Sequence, residues 1–470
     1  MPGTRSLLIA AVLCCELAFA TDEARLLFTG DILLSRQVKR EIDATGRFPW
    51  DPFATLFHGA TWVAGNLEGA VGDERDCLPT TTASPCFAIP PGMIPLLSRA
   101  GFRAIGIANN HAVDLGGTGH EATRQALIAA DLEPLAWDDS PLFVRAGPYD
   151  IAVIALDTVP ARDGSHVEIP SIDLRQKLRL ARNLADAVVV FVHWGSELLD
   201  WPDAEQRRDA EWLVHNGADL IIGHHPHVVQ APECISGRPV FFSLGNHLFD
   251  QKYPATKRGL IADCRIRGGV LHCGAIATTT PAGSSLPQLD GAVPTPACDV
   301  NLAPPATMNG FSLRAENGYV IEGSRAGART WRSRALPLLS AETGAGYLFT
   351  LERHPSTLDG EDGVRPYVYD VTGHGLVARW RGSALAWPLL DAAFLPGSGG
   401  VLCALHRKDS FLVLQPGASG PGAGGTRTAA YRWNGFGFSG VDDADVTARC
   451  AALFTAPGRS GTPRRPSSQR

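Results

Sequence analysis

The stretch Gly217–His227, G-A-D-L-I-I-G-H-H-P-H, limits what this chain can become more than any other. Its apolar run Leu220-Ile221-Ile222 is too short for a helix and suits a buried strand. The run stops at Gly223 and opens at once into His224, His225 and His227. Imidazoles are thereby delivered to the carboxyl end of a strand, where open α/β sheets bind ligands. Pro226 stiffens the turn, which predicts His225 and His227 on one side of it. A lone surface histidine would carry no meaning. Three within four positions, directly behind a strand, point to metal binding or proton transfer.

The same device recurs along the chain. A strand over Arg25–Thr29 ends in Gly30-Asp31, and Arg36 follows within reach of any anion held there. Thr61–Gly65 ends in Asn66-Leu67-Glu68. Phe102–Ala108 runs into Asn109-Asn110-His111, with Asp114 three residues on. Ala187–Val192, mostly valine as a strand buried on both faces should be, delivers His193-Trp194-Gly195 and then Glu197. Val240–Leu244 ends in Gly245-Asn246-His247. Between strands, Leu174, Leu178 and Ala181 predict an amphipathic helix over Ser171–Leu184. Thr118 with Glu121 reads as a capping box, and Asp203 with Gln206 as another cap. This alternation predicts an α/β sandwich. Turn formation explains any one of these acids or amides; repetition at strand exits asks for more. Carboxylate, amide and imidazole donors without cysteine suit borderline divalent ions (Zn, Mn or Fe) and argue against a structural zinc. Asp31, Glu68, Asn110, His193, His225 and His227 exceed one ion's needs, which predicts a pair of metal ions clamping the oxygens of a displacement.

These motifs resemble the CapA family of poly-gamma-glutamate capsule synthesis proteins, a branch of the calcineurin-like metallophosphoesterase fold. The matching stretches are Thr29-Gly30-Asp31 with Arg36, Asn66-Leu67-Glu68, Asn109-Asn110-His111 with Asp114, and His193-Trp194-Gly195 with Glu197. Gly217–His227 and Ser243-Leu244-Gly245-Asn246 with Phe249-Asp250 complete the set. The resemblance covers about Leu26–Thr278 and implies a four-layer α/β/β/α metallophosphoesterase-like sandwich, with the site in the loops between two sheets. It implies Asp31 and Glu68 as carboxylate ligands, Asn110, His193 and His225 completing one metal, and His227 serving the other. It implies His111 with Asp114 as an acid dyad, with Arg36 holding substrate charge. Asn109, Glu197, His224, Asn246 and His247 are expected to face substrate. Two departures from the wider superfamily stand out. Its Asp-x-His start is absent, because Asp31-Ile32-Leu33 has no histidine, and Glu68 stands for its bridging Asp.

Outside this region the sequence is less informative. Arg5, the apolar Ser6–Cys15 and Ala18-Phe19-Ala20 read as an export signal cleaved near Ala20. The expected location is periplasmic or cell-surface. Of ten cysteines, eight follow that signal, an even number that suits disulfides in an exported chain. Cys77 with Cys86 and Cys264 with Cys273 are the expected pairs; Cys234, Cys298, Cys403 and Cys450 stay open. The expected units are a signal over 1–20, the α/β domain over 21–278, a Pro/Gly-rich linker over 279–310, an all-β region over 311–456 and a disordered tail over 457–470. Trp331, Trp380 and Trp433, spaced by 49 and 53, predict propeller-like repeats in the β region.

A net charge of −6 gives no footprint for nucleic acid, and no G-x-x-x-x-G-K-[ST] loop is present for nucleotide. The leading expectation is an exported, metal-dependent hydrolase or transferase of capsule-type polymer biosynthesis. Its partners would be an anionic cell-surface polymer or its precursor, and membrane-bound polymer synthesis proteins. The rivals are a non-catalytic polyanion-binding scaffold and a secreted phosphoesterase or nucleotidase.

Overall fold

The computed structural model describes residues 23–79, 85–316, 320–355, 362–382, 385, 387–407 and 425–455. The expected export signal and C-terminal tail lie outside these residues, as does the strand-like run Ser410–Gln415.

The first sheet grows from the chain's opening strands. β1 (Glu23–Ile32), β2 (Trp62–Leu67) and β3 (Ala104–Gly106) run parallel, with α1 (Arg36–Thr45) between the first two and α2 (Gly116–Ala129) behind the third. The short strand Glu133–Leu135 extends this edge. The chain then crosses to a second sheet through Leu142–Ala146. Here β4 (Tyr149–Asp157), β5 (Ala187–His193) and β6 (Leu220–His224) run parallel, linked by α3 (Ile172–Leu184) and α4 (Ala204–His215). β7 (Arg238–Phe241) adds in parallel to β6. β8 (Asn246–Leu248) returns to the first sheet, beside the end of β1. The long pair Arg258–Arg267 and Val270–Thr279 then closes it antiparallel.

Side-chain alternation explains why two sheets stack. Val189 and Phe191 of β5 meet Phe28, Trp62, Leu220 and Phe241 in a core between the sheets. Val188, Val190 and Val192 point the other way, onto Leu174, Leu178 and Ala181 of α3 and Leu213 of α4. On the first sheet, Leu27, Val63 and Ile105 face outward onto Val38, Phe53, Phe57 and Leu127. A period of two with both faces buried therefore builds helix, sheet, sheet and helix in succession.

Two local expectations are corrected. Thr118 and Glu121 do not cap α2, which starts two residues earlier at Gly116, behind Leu115, without a side-chain cap. The Pro- and Gly-rich stretch after Thr279 is no bare linker: Gln288–Val293 joins the first sheet as its edge strand, and Cys298 is bridged to Cys234. By contrast, Ser171 caps α3, Asp203 and Gln206 form a capping box on α4, and both expected disulfides are present. The fourth bridge ties Cys403 to Cys450 on α5 (Ala444–Phe454).

The C-terminal region is all-β apart from α5, but among the described residues its strands do not form radial blades. Four short strands from Thr307–Met308 to Ala328–Arg332 make one meander, and eight from Leu338–Gly344 to Phe438–Gly440 make one antiparallel sheet. Trp331 belongs to the meander and packs under Phe311. Trp380 and Trp433 share the larger sheet and touch each other, with ring centroids 6.5 Å apart. Their spacing reflects two tryptophans filling one core, so the propeller-like expectation is not met.

The region packs on α3. Arg179 of α3 donates to Asp391 and Glu342 at 2.9 and 2.8 Å, and Gln176 donates to Asp391 at 3.2 Å. Burial pushes the Glu342 carboxyl up, and the Arg179 charge opposes it. Arg179→Ala would leave two buried carboxylates facing each other. The expected loss is about 3–5 kcal/mol of unfolding free energy, read by urea denaturation.

Candidate metal centre

Parallel register gathers the site. In the first sheet Asp31 stands level with Asn66 on β2 and with Asn246 on β8. Such proximity needs glycine: a Cβ on Gly30 would lie 1.9 Å from the Gly245 carbonyl oxygen. In the second sheet His224 stands level with His193. The two sheets then meet where their parallel strands end. His224 Nε2 lies 3.0 Å from the Thr29 carbonyl oxygen, and the His225 amide donates to Asp31 at 3.4 Å. The His225-Pro226-His227 turn is strained, with φ of 96° at His225 and 58° at His227, a conformation that non-glycine residues hold only when their surroundings fix it.

Asp31, Glu68 and His227 form the centre. All three are buried, and one donor atom from each lies within 4.8 Å of the others. His227 Nδ1 is 3.3 Å from Asp31, and its Nε2 is 3.6 Å from Glu68. Burial alone would lower the His227 pKa, but the Glu68 charge and the Asp31 hydrogen bond raise it to about 10. Burial drives the Glu68 carboxyl well up, and the Asp31, Glu197 and Asp114 charges add to that. Both Glu68 oxygens are buried without a hydrogen-bond partner. Orphaned acceptors in low dielectric, beside a second carboxylate, call for positive charge. The donor set of two carboxylates and an imidazole fits a divalent ion.

A second group of donors adjoins the first. Asn110 Oδ1 lies 3.0 Å from His193 Nε2, and that nitrogen lies 3.1 Å from His225 Nδ1. Burial holds His193 well below the ordinary imidazole range and His225 at about 3, so both rings stay neutral with lone pairs to give. Asn66 joins the groups: its amide donates to Asp31 at 2.8 Å and lies 3.4 Å from His193 Nδ1.

Beside Glu68 stands the pair His111 and Asp114, Nδ1 to Oδ2 at 2.8 Å, with His111 Nε2 3.7 Å from Glu68. The remaining expected residues divide. Asn246 accepts from or abuts His227 Nδ1 at 3.0 Å. Arg36 sits at the rim, 3.2 Å from Asp250 and over the Phe87 ring. Glu197 is exposed, yet its charge is felt at Glu68 and His227. Asn109 is buried and turned inward, donating to Asn66 and to the Leu67 carbonyl. His224 lies beneath the site against Phe191. His247 is not brought to the crevice. It packs against Phe53 and Phe57 in the outer core and accepts from Trp50 Nε1 at 3.1 Å.

Residues 25–251 match the family model described as bacterial capsule synthesis protein PGA_cap. This segment, the CapA-type domain, is similar to capsule synthesis proteins of the CapA type. The capsule biosynthesis protein CapA of Bacillus anthracis is 27% identical over 265 residues, covering 52% of this chain and 64% of its own. The PGA biosynthesis protein CapA of Bacillus subtilis is 27% identical over 273 residues, 53% of this chain and 69% of its own. A probable polyglutamine synthesis accessory protein of Mycobacterium tuberculosis is 24% identical over 256 residues, 47% of this chain and 65% of its own. Among solved structures, a phosphatase of Mycoplasma pneumoniae aligns over 60% of this chain and 94% of its own, at 12% identity and a TM-score of 0.35. The architecture of the CapA-type domain rests on its own sheets.

Asn66 stands in a matching motif, but only the register beside Asp31 shows that it holds the carboxylate. Arg162 and Phe87, which flank the His111–Asp114 pair, carry no sequence signal at all.

Two predictions test the site. Glu68→Gln keeps the shape but removes one charge from the centre. It is expected to weaken Mn²⁺ or Zn²⁺ binding at least about tenfold by calorimetry, with the fold unchanged by circular dichroism. His247 is held neutral, its pKa lowered by burial to about 3. Its share of stability is present above about pH 6.5 and fades as pH falls toward 3, at up to about 1.4 kcal/mol per pH unit. Unfolding of His247→Phe between pH 7 and 4 is expected to show a shallower loss than the parent.

Proposed function

We propose that the CapA-type domain is a metal-dependent hydrolase or transferase that works on an anionic cell-surface polymer or its precursor, at a phosphoester or amide bond. The observation that carries this reading is the buried Asp31–Glu68–His227 group with the His111–Asp114 pair beside it. Asp31, Glu68 and His227 would hold one divalent ion, and Asn110, His193 and His225 the other, with manganese, zinc or iron as the fitting ions. Bound there, such ions supply Lewis-acid polarisation and neutralise charge that develops on the reacting group. The four-layer sandwich and its site at the strand ends agree with a metallophosphoesterase-like design.

The protein's own groups do the rest. Asp114 accepts from His111 Nδ1 and fixes the imidazole, so that Nε2 can pass a proton to the leaving oxygen or nitrogen. Arg36, at the rim, can pair with substrate charge in place of Asp250. The relatives' names, capsule biosynthesis and PGA biosynthesis, support a cell-envelope polymer as the substrate, and on this reading the partners are membrane-bound polymer synthesis proteins.

The test joins metal analysis of the purified protein to a substrate panel of bis-p-nitrophenyl phosphate, nucleotides and short gamma-glutamyl oligomers. Expected is bound Mn, Zn or Fe, and, on the panel members whose leaving group needs a proton, turnover that falls about 10²- to 10⁴-fold in His111→Ala with metal retained. Turnover indifferent to that substitution sinks the reading. Oligomer bound without any turnover replaces it with a scaffold.

A further inference from the structure

We propose that Arg162 is the positioning residue of the His111–Asp114 pair, and that it works only while the Cys77–Cys86 bridge is closed. This rests on the reading of His111 as a proton donor and adds the device that regulates it.

Arg162 follows β4 of the second sheet, whereas Asp114 follows β3 of the first. The guanidinium therefore crosses between the two sheets. Its side chain is 6% exposed and that of Asp114 is 1% exposed. Arg162 Nε donates to Asp114 Oδ1 at 3.0 Å. One terminal nitrogen donates to the Leu78 carbonyl at 3.0 Å, and the other to the Pro85 carbonyl at 2.9 Å. Leu78 follows Cys77 and Pro85 precedes Cys86, so both carbonyls belong to the small loop that the disulfide closes.

The same loop reaches the pair directly. The Phe87 amide donates to Asp114 Oδ2 at 2.7 Å, the Leu78 amide donates to the Asp114 carbonyl at 2.9 Å, and the Phe87 ring stacks on His111 with centroids 4.0 Å apart. Asp114 thus takes Arg162 on one oxygen, and His111 and the Phe87 amide on the other. A carboxylate bound on both oxygens by a planar fork and a backbone amide cannot rotate. Its hold on His111 Nδ1 fixes the ring and leaves Nε2 toward Glu68. Opening the bridge frees the two carbonyls that anchor the fork. Arg162 then keeps one of these three acceptors, and the carboxylate can swing away from the imidazole.

The test uses the full-length protein loaded with its metal and two phosphodiesters, one with a nitrophenolate leaving group and one with an alkoxide. A nitrophenolate departs without a proton; an alkoxide needs one. Arg162→Ala is expected to lower kcat on the alkyl ester about ten- to hundredfold and on the nitrophenyl ester less than about threefold, with KM and metal content unchanged. Arg162→Lys, one point charge in place of a fork, should recover only part. The double variant Cys77→Ser/Cys86→Ser should reproduce the leaving-group dependence with the other bridges intact. Equal slowing of both esters, or a double variant with parental rates, overturns the proposal.

If the parent protein turns over neither ester, the phosphoester form of the functional reading fails on its own. The positioning role is then read from the nitrogen-15 resonances of His111. One tautomer with the proton on Nδ1 is expected in the parent, and a mixture in Arg162→Ala and in the double cysteine variant. Identical His111 resonances in all three overturn it.

Discussion

Everything in the CapA-type domain is arranged around two carboxylates buried where the sheets meet. Asp31 and Glu68 are both fully buried, close enough to share His227, and among the described residues no arginine or lysine pairs with either. Isolated charges in such a place would cost several kcal/mol each. The nearest compensation is an imidazole whose pKa is drawn up to about 10. The histidines one step away behave oppositely: burial keeps His193 and His225 neutral. A single crevice therefore holds a strongly negative corner and a neutral, lone-pair-rich corner. That division is what a cation site needs, and what a packed core would avoid.

Backbone strain shows how firmly the scaffold holds this arrangement. Leu198, His225 and His227 have positive φ in loops leaving the strands that carry the site, and so does Arg36 at the start of α1. Each such conformation costs about 1–3 kcal/mol and persists only where neighbours fix it. The Leu198 amide donates to the Pro226 carbonyl between the two strained histidines, and the Gln230 side chain holds Leu199 and Trp201. The loop after β5 thereby braces the turn after β6. Four of the nine non-glycine residues with positive φ among the described residues thus lie where side chains must be aimed.

The strand exits were legible in the sequence because a parallel strand buried on both faces reads as an unbroken apolar run that stops abruptly at its polar end. Asp31, Glu68, Asn110, His111, His193, His225 and His227 could be found that way, and the structure brings them together. What could not be read was direction. His247 occupies a strand exit like the others, yet β8 lies beside the very end of β1 and turns its imidazole to the outer core of Phe53 and Phe57. His224 is the last residue of β6 and faces the space between sheets below the site. A change of one residue in register exchanges crevice for core, and spacing alone does not set register. Arg162 was invisible for another reason. Its acceptors lie 48 to 84 residues away along the chain, on segments that only the disulfide and the stacking of two sheets bring near.

The C-terminal region misled for a related cause. The spacing of Trp331, Trp380 and Trp433 suggested repeated units, but alternation in any antiparallel sheet turns an aromatic inward at intervals. Two such tryptophans in one sheet imitate a repeat. What the region does follow is the demand of α3, whose second face would otherwise be bare. Met308, Phe311, Leu313, Leu338 and Leu348 cover that face, joining the core that Val188, Val190 and Val192 of β5 form on the first. Because β5 ends in His193, the helix that supports this strand is itself clamped by the β region through Arg179, Asp391 and Glu342. The strand that delivers an imidazole to the centre thus has protein on both sides of its supporting helix. A helix exposed on that side would give the strand, and with it His193, freedom that a coordination shell cannot tolerate.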